Sequence, residues 1–312
     1  MQRFDADATR CALPFDALIP ALERMFIAGC EVPLRHTHTL VAADGSQGSV
    51  LLMPAWQVDR YLGIKTVTVF PGNAARGLPG LYATYMLYDA RSGAPLAQID
   101  GNEITARRTV AASALAASRL ARADAARLLV LGSGRVGSLL APAYRQVLPI
   151  TQVRVWDRTP AHALALVQRL CAQGIAATVA PDLADAVAWA DVVSCATLAT
   201  EPLVQGRWLA PGSHLDLIGG FTPQMREADD ACFAGAAIFV DTTEALQKSG
   251  DLLGPMARGV FAAADVRGTL ADLCRGVVAG RCGATQRTVF KSVGTALEDL
   301  AAAVLVYESA HG

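Results

Sequence analysis

The chain has 312 residues and a formal net charge of −1. This balance gives no electrostatic reason to expect nucleic acid or an acidic membrane surface as a partner, because both are bound by strongly basic faces. The length exceeds the ~100–200 residues of a typical domain, and 53% of the residues are hydrophobic. We therefore predict two domains with a large core, a small-molecule partner, and surplus apolar surface buried in a homodimer.

The first hundred residues mix helix and strand signals. Apolar residues at helical spacing predict a helix over 15–28. Strand-forming residues predict strands at 49–53, 64–70, 82–88 and 96–99, the last two joined as a hairpin by the turn-like DARSGAP. The Ala-rich segment 105–122 has high helix propensity and is predicted to connect the two domains.

From residue 128 onward, strands and helices alternate. The predicted strands are 128–131, 153–156, 176–179, 192–195, 214–218 and 238–240, and the clearest helices are 160–172 and 183–189. This alternation predicts a parallel sheet covered on both faces, so the fold class is α/β with a doubly wound Rossmann domain.

The end of the chain predicts a discontinuous first domain. The segment RTVFKSVG at 287–294 predicts a last strand and turn, and 295–309 predicts a helix that packs back on the first domain. The expected division is an α+β domain at 1–112, completed by 295–312, and the doubly wound domain at 113–294.

Targeting, membrane and metal signals are weak. The longest apolar runs are far below the ~20 residues that span a bilayer, and the start MQRFDADATR lacks the pattern of a secretory signal. Seven cysteines are scattered without Cys-x-x-Cys spacing, and no third ligand accompanies the pair His36 and His38. We expect reduced cysteines, no metal, no membrane segment and a cytoplasmic location.

A glycine-rich loop follows the strand at 128–131. It reads Gly132-Ser133-Gly134-Arg135-Val136-Gly137, the GxGxxG pattern that turns tightly, approaches a pyrophosphate and lets a helix pack on its strand. Asp157 ends the next strand twenty residues after Gly137, as expected of the acid that holds ribose hydroxyls. The predicted cofactor is NAD or NADP: Asp157 favours NAD, while Arg158 and Thr159 beside it offer contacts for the extra phosphate of NADP.

Several further stretches follow one family pattern. They are VPLRHT (32–37), LGIKTVTVFPGN (62–73), GAPLAQIDGNEITARRTVAASALAA (93–117), GSGRVG with VRVWDRTP, APGSHLDLIGGFTPQMRE (210–227) and TVFKSVGTALEDLAAA (288–303). Together they resemble the ornithine cyclodeaminase/mu-crystallin family over nearly the whole chain. The resemblance implies an NAD(P)-dependent dimer with a Rossmann domain and a discontinuous substrate domain.

The resemblance also assigns site residues. It implies that Arg35, Lys65 and Arg108 are the catalytic and substrate-binding residues. Lys65 is notable by itself, because a lysine in the apolar strand GIKTVTV needs a partner or a lowered pKa, and arginine forks suit an α-carboxylate. Cofactor contacts are expected from Thr197, which follows the strand DVVSCA, and by the resemblance from Ser292, Val293 and Gly294 near the nicotinamide.

Phe221 separates the reactions that the resemblance implies. The cyclodeaminases and several alanine dehydrogenases of the family continue from Ile-Gly through a small residue to an aspartate, whereas this chain reads Ile218-Gly219-Gly220-Phe221. Cyclodeamination benefits from a carboxylate that accepts a proton from the distal ammonium. Reduction of a preformed cyclic imine needs carboxylate binding, a hydride and one proton, with Phe221 as an apolar wall of the substrate pocket.

We therefore expect an NAD(P)H-dependent reductase of a cyclic imine carboxylate such as 1-pyrroline-2-carboxylate, with Lys65 or a water as proton source. One alternative is an ornithine cyclodeaminase, in which Glu103 or Asp100 replaces the missing acid, or an alanine dehydrogenase-like amino-acid dehydrogenase. Another is a non-catalytic ligand-binding protein of the mu-crystallin kind. The intact Lys65 and Arg108 disfavour this last alternative, because a pure binder has no need of a charged lysine in a strand.

Overall fold

The computed structural model describes residues 1–311, apart from the side chain of residue 74. It divides into two compact units, one formed by Met1–Arg108 with the segment from Thr295 onward, the other by Thr109–Gly294. The sequence-based division put the first boundary at 112, four residues further along the same helix, and the second at 294.

The first unit contains a six-stranded sheet. Its strands are β1 (Gln2–Phe4), β2 (His36–Val41), β3 (Gln47–Trp56), β4 (Tyr61–Val69), β5 (Leu81–Asp89) and β6 (Pro95–Asp100), in the order β1-β6-β5-β4-β3-β2. Neighbours are antiparallel except β1, which is parallel to β6. Helices α1 (Ala6–Cys11), α2 (Phe15–Ala28) and α3 (Gly101–Leu120) accompany it.

Strand β3 is longer than the prediction of 49–53, which ended before Pro54. Proline lacks a backbone donor and is tolerated in a strand where that donor has no partner to meet. The pairing of β2 with β3 reaches only Leu52, while β3 remains paired with β4 as far as Trp56. Pro54 therefore lies beyond the stretch that is paired on both sides.

The second unit contains an eight-stranded parallel sheet. Its strands are β7 (Arg127–Leu131), β8 (Gln152–Trp156), β9 (Ala177–Val179), β10 (Val192–Cys195), β11 (His214–Leu217), β12 (Ala237–Val240), β13 (Val266–Thr269) and β14 (Thr288–Lys291). Its helices are α4 (Gly137–Tyr144), α5 (Pro160–Ala172), α6 (Leu183–Trp189), α7 (Ala245–Lys248), α8 (Gly250–Ala257) and α9 (Leu270–Cys274). Strand β13 and helices α7 to α9 were not predicted.

The order of this sheet is β13-β12-β14-β11-β10-β7-β8-β9. The chain leaves β7 toward β8 and β9 and then returns to β10 on the other side of β7. This reversal is the topological switch point where doubly wound folds bind ligands, beyond the carboxyl ends of the strands. The loops after β7 and β10 meet at that point.

Helix α10 (Ala296–Ser309) belongs to the first unit. It begins after Thr295, whose hydroxyl accepts a hydrogen bond from the backbone N–H of Leu297. The helix packs on α2 and on β3 and β4, which places its first turn, with Glu298 and Asp299, beside the inward face of the sheet. Within residues 1–311, no helix has the length and apolarity needed to cross a bilayer.

Candidate functional site

The loop after β7 has the shape that the glycine pattern predicts. Gly132 has a φ of +91°, and a Cβ there would lie 2.6 Å from the carbonyl oxygen of Ala196. A Cβ on Gly137 would lie 1.9 Å from the carbonyl oxygen of Gly132, whereas one on Gly134 would meet nothing within 4 Å. The first and third glycines thus permit close backbone packing, and the second leaves open space where a pyrophosphate approaches. The residues present fit a dinucleotide.

Asp157 lies beside this loop. Its Oδ2 accepts hydrogen bonds from the backbone N–H and the hydroxyl of Ser133, at 3.0 and 2.6 Å, and its Oδ1 accepts one from the N–H of Thr159. Burial would raise the pKa of this carboxyl, but these hydrogen bonds hold it below its usual value. Asp157 is therefore an anion at neutral pH and borders a cleft of about 760 Å³ that His162 and Arg169 also line.

The other residues predicted to contact the cofactor differ in exposure. Arg135 and Arg158 are exposed, and Val136 lies half-buried just before α4. Arg158 follows Asp157 directly in the chain, and the contact of either residue with a ribose stays a prediction.

A buried cluster of four charges occupies the inward face of the first unit. Lys65 on β4 lies 2.6 Å from Oδ2 of Asp299 and 3.3 Å from the hydroxyl of Thr105. Arg108 on α3 donates from Nε to Asp299 at 2.9 Å and from Nη1 to Glu298 at 2.6 Å. Lys65 and Arg108 are 2% and 6% exposed. The two cations predicted from the sequence are thus brought together, and two carboxylates balance them.

Burial and charge set the protonation of this cluster. Burial lowers the pKa of Lys65 to about 8, against the opposing effect of the Asp299 carboxylate. Burial by itself would raise the pKa of Asp299, but Lys65 and Arg108 outweigh it and hold that pKa below its usual value. Burial would lower the pKa of Arg108, yet both carboxylates raise it above its usual value. Lys65 is therefore the member that can exchange a proton near neutral pH.

Lys65 stands in a row of residues that share the inward face of the sheet. Across β3, β4, β5 and β6, Met53, Lys65, Tyr85 and Ile99 lie directly opposite one another, and all are buried. The Tyr85 hydroxyl has no hydrogen-bond partner among residues 1–311. Arg35 is half-buried one residue before β2, and continuing the register of β2 with β3 places it opposite Met53. Its backbone therefore joins the row of Lys65.

Phe221 stands in the loop after β11. Its side chain is 49% exposed, and its N–H donates to the carbonyl of Gly219 at 3.0 Å. Asp100 and Glu103, the acids considered as replacements, both have partners within the first unit. The Asp100 carboxylate accepts from the N–H of Glu103 at the start of α3, and Glu103 pairs with Arg10 at 3.2 Å.

The acid nearest the Gly219 backbone is Glu227, which the sequence did not single out. It is fully buried, and its Oε2 accepts from the N–H of Gly219 at 2.6 Å. Its Oε1 accepts from both the N–H and the hydroxyl of Thr197 at 2.7 Å. Burial raises the pKa of Glu227 to about 7, and Asp251 raises it further while Lys291 lowers it.

The loop after β14 is held by another carboxylate. Asp241 accepts from the N–H groups of Val293 and Gly294 at 2.7 and 2.6 Å. Gly294 has a φ of +79°, and Ser292 is buried with its N–H donating to the carbonyl of Leu217. These three residues, predicted to contact the nicotinamide, form a fixed turn beyond the carboxyl end of β14. Their contact with a cofactor stays a prediction.

Two sets of carboxylates were missed by sequence reasoning. Glu298 and Asp299 stand in TALEDLAAA and Glu227 in TPQMRE, so both lie within stretches that carry the family pattern. The available signal for Glu298 and Asp299 was the presence of acids at the start of an otherwise Ala-rich helix. Only the fold shows that both face Arg108, about 190 residues away along the chain. Within residues 1–311 no group of three or more metal-binding side chains comes together.

Comparison with known proteins identifies the family. The model of the ornithine cyclodeaminase/mu-crystallin family matches residues 13–312. The chain belongs to this family. Among its relatives, the Delta(1)-pyrroline-2-carboxylate reductase of Paracoccus denitrificans is 43% identical over 278 residues, which cover 86% of this chain and 87% of the relative.

Solved structures of similar proteins agree with this family over the full length. The Delta(1)-pyrroline-2-carboxylate reductase of Thermococcus litoralis, in complex with NADH and L-proline, matches with a TM-score of 0.92 and 32% identity, covering 100% of this chain and 98% of that one. An archaeal alanine dehydrogenase dimer with bound NAD matches with a TM-score of 0.91 and 29% identity, covering 100% and 96%. The predicted family and the α/β fold with a Rossmann domain are confirmed.

Proposed function

We propose that this member of the ornithine cyclodeaminase/mu-crystallin family is an NADH-dependent reductase of a cyclic imine carboxylate, with 1-pyrroline-2-carboxylate reduced to proline as the leading reaction. The observation that carries the proposal is the buried Lys65–Arg108 cluster in a chain that has Phe221 where cyclodeaminases have an acid. The reductases from Paracoccus and Thermococcus support it, at 43% and 32% identity.

The residues of this chain supply carboxylate binding and the proton. A reduced nicotinamide supplies the hydride when it is bound. The hydrogen bonds from Arg108 to Glu298 and Asp299 use Nε and Nη1, so Nη2 is the end of the fork that meets a substrate carboxylate. Arg35 adds a second guanidinium on the inward face, which compensates the negative charge of the substrate carboxylate. Lys65, with a pKa of about 8, donates the proton to the imine nitrogen.

Hydride transfer to the imine carbon is tested by isotope labelling. NADH deuterated at C4 on the transferred face, incubated with the enzyme and 1-pyrroline-2-carboxylate, is expected to give proline with one deuterium at C2 by mass spectrometry. A six-membered ring analogue and pyruvate with ammonia are assayed in parallel. Label in alanine but not in proline would overturn the proposal in favour of an alanine dehydrogenase. Tight ligand binding without turnover of any substrate would favour the non-catalytic alternative.

Asp157 is proposed to select NADH over NADPH. Its carboxylate is ionised, and a like charge at the ribose 2′ position repels the extra phosphate. We expect Asp157→Ser to decrease the ratio of kcat/KM for NADH to that for NADPH by about tenfold, which corresponds to ~1.4 kcal/mol. The exposed residue Asp185 serves as the control through Asp185→Ser. An unchanged ratio in Asp157→Ser would show that this carboxylate does not face the ribose.

A homodimer is proposed from the outward face of the six-stranded sheet. Leu40, Leu52 and Tyr82 on β2, β3 and β5 are 45%, 37% and 44% exposed, and the alternation of the strands places all three on the face opposite Lys65. The archaeal alanine dehydrogenase with the same fold is a dimer. The scattered cysteines suit a reducing compartment, and we propose the cytoplasm as the location.

Leu52→Lys is expected to convert this dimer to a monomer, because it places a charge in the apolar interface. Light scattering after size exclusion should give twice the mass of one chain for the wild type and a single-chain mass for the variant. Leu164→Lys, at a leucine that is 50% exposed on α5, is the matched control and should stay dimeric. A monomeric wild type would contradict the proposal.

A further inference from the structure

Glu227 connects two loops at the carboxyl edge of the parallel sheet. The loop after β10 contributes the N–H and hydroxyl of Thr197, and the loop after β11 contributes the N–H of Gly219, all within 2.7 Å of Glu227. One carboxylate therefore satisfies three donors from two separate segments. Hydrogen bonds to an ionised acceptor are about twice as strong as neutral ones.

The two loops approach each other so closely that only glycine fits at 219. A Cβ there would lie 1.9 Å from the carbonyl oxygen of Thr197 and 2.5 Å from Oε1 of Glu227. A Cβ on Gly220 would also be too close to a neighbouring group, because it would lie 2.1 Å from Oδ2 of Asp251. The Gly219-Gly220 pair that precedes Phe221 is thus explained by buried carboxylates packed against its backbone.

The backbone of Glu227 is itself held by buried side chains of the same unit. Asp251 accepts from the N–H of Glu227 at 2.7 Å and from that of Ala228 at 3.2 Å, and its other oxygen lies 3.1 Å from Nζ of Lys291. Ser249 donates to the carbonyl of Gly220 at 2.6 Å. Asp251, Lys291 and Ser249 are fully buried. The position of the Glu227 carboxylate is therefore determined by the interior of the unit.

These contacts exclude Glu227 as a replacement for the catalytic acid that cyclodeaminases have at the position of Phe221. Both of its oxygens already accept hydrogen bonds, and the side chain is fully buried. A general base needs an oxygen within reach of the substrate proton. The Glu227 carboxylate instead accepts hydrogen bonds from groups of the two loops.

We propose that Glu227 is a positioning residue, which joins the loop after β10 to the loop after β11 and so fixes the backbone that carries Thr197 and Phe221. The roles of Thr197 toward the dinucleotide and of Phe221 toward the substrate rest on the proposed function. The coupling of the two loops through Glu227 does not.

The protonation of Glu227 gives this coupling a pH dependence. The titratable and charged groups facing it are Asp251 from α8, Lys291 from β14 and the thiol of Cys195 from β10. Burial raises the pKa of the Glu227 carboxyl to about 7, so the joined arrangement takes up a proton more readily than an exposed glutamate does, and the protonated carboxyl keeps acceptor capacity for the loops. A fall in pH from 8 to 6 is therefore expected to favour the joined arrangement over an open one in which Glu227 is exposed.

The test combines amide hydrogen exchange and NADH affinity for wild type, Glu227→Gln and the matched control Glu201→Gln, an exposed glutamate in the loop after β10. In Glu227→Gln, the amide nitrogen of the side chain faces a backbone donor. We expect about tenfold faster exchange in peptides covering 196–199 and 219–222 and an NADH Kd about tenfold higher at pH 8. The control should match the wild type.

A second measurement needs no variant. In the wild type, the protection of the same peptides, corrected for intrinsic exchange, should increase and the NADH Kd should decrease between pH 8 and pH 6, and this step should be absent in Glu227→Gln. Unchanged exchange and Kd in the variant, or a loss of thermal stability alone, would overturn the proposal. Absence of imine reduction by the wild type would refute the proposed function but leave the exchange result as the test of Glu227.

Discussion

Lys65→Met is expected to lower kcat/KM for 1-pyrroline-2-carboxylate by about 10³-fold, within the range for loss of a general acid, while the NADH Kd stays unchanged. The reason is the environment of the lysine. It is 2% exposed and lies 2.6 Å from Asp299, which holds the ammonium in one position, whereas methionine has no proton to donate. Steady-state rates and NADH fluorescence titration measure the two quantities separately.

The pH profile gives the same prediction a sign. Burial lowers the pKa of Lys65 to about 8, and only the protonated ammonium can donate a proton. We expect the wild-type kcat/KM to fall as the pH rises through about 8 and the residual rate of Lys65→Met to lack this step. Lys248→Met, at a half-buried lysine paired with Glu244, is the control and should keep the profile. A variant that retains near-wild-type activity would exclude Lys65 as the acid.

Arg108→Met is expected to destabilise the protein by about 3–5 kcal/mol, the usual cost of removing one partner from a buried ion pair. Glu298 and Asp299 are both fully buried, and the guanidinium bonds to each of them. Its loss leaves Lys65 as the single cation among the four charges described. Urea unfolding followed by circular dichroism measures the change in midpoint.

The pH dependence of this effect also has a defined direction. The pKa of Asp299 is held below its usual value of 3.8 in the folded chain. Its contribution to stability is therefore present above pH 3.8 and is lost as the pH falls through the folded pKa. The difference between Arg108→Met and wild type should be largest at neutral pH and shrink below pH 4.

Arg107→Met provides the matched control on the same helix. Arg107 stacks on the ring of Phe15 at 4.5 Å and donates to the carbonyl of Leu13 at 2.7 Å. Losing one such hydrogen bond costs about 1 kcal/mol. Equal effects of the two substitutions would contradict the assignment of Arg108 to a buried charge cluster.

Sequence periodicity predicted the parallel sheet well because its strands are short, apolar and bounded by loops. The helices at 160–172 and 183–189 match α5 and α6 at both ends. The strands of the first unit were predicted too short, since β4 begins three residues before 64 and β3 continues past Pro54. Pairing with neighbours that are distant in sequence extends these strands, and local propensity does not contain that information.

The residues of the candidate site also fall into two groups, those that the local sequence predicts and those that only the fold brings together. The glycine loop and Asp157 are readable because their spacing along the chain is fixed by one strand, one turn and one helix. Lys65 is readable because a charge interrupts an apolar strand. The partners Glu298 and Asp299 are not, because α10 reaches β4 only through the fold. Glu227 was missed because its function is to bond backbone groups, and such a role leaves no pattern in side-chain chemistry.

The structure explains the residues that surround Phe221, whose place in a substrate pocket stays a prediction. The glycines before it are required by the packing of Thr197, Glu227 and Asp251. The acids near the loop are buried and already bonded. No carboxylate among these is open to take a proton from a distal ammonium, which disfavours ornithine as substrate.

The central claim is imine reduction without loss of ammonia. The measurement that tests it most directly compares, on one preparation of wild-type enzyme, NADH oxidation with 1-pyrroline-2-carboxylate and ammonia release from ornithine in the presence of NAD. We expect a kcat/KM for the imine at least about 10³-fold above that for ornithine, because cyclodeamination lacks the rate contribution of an acid–base carboxylate. Ammonia release from ornithine at a rate equal to or above imine reduction would contradict it.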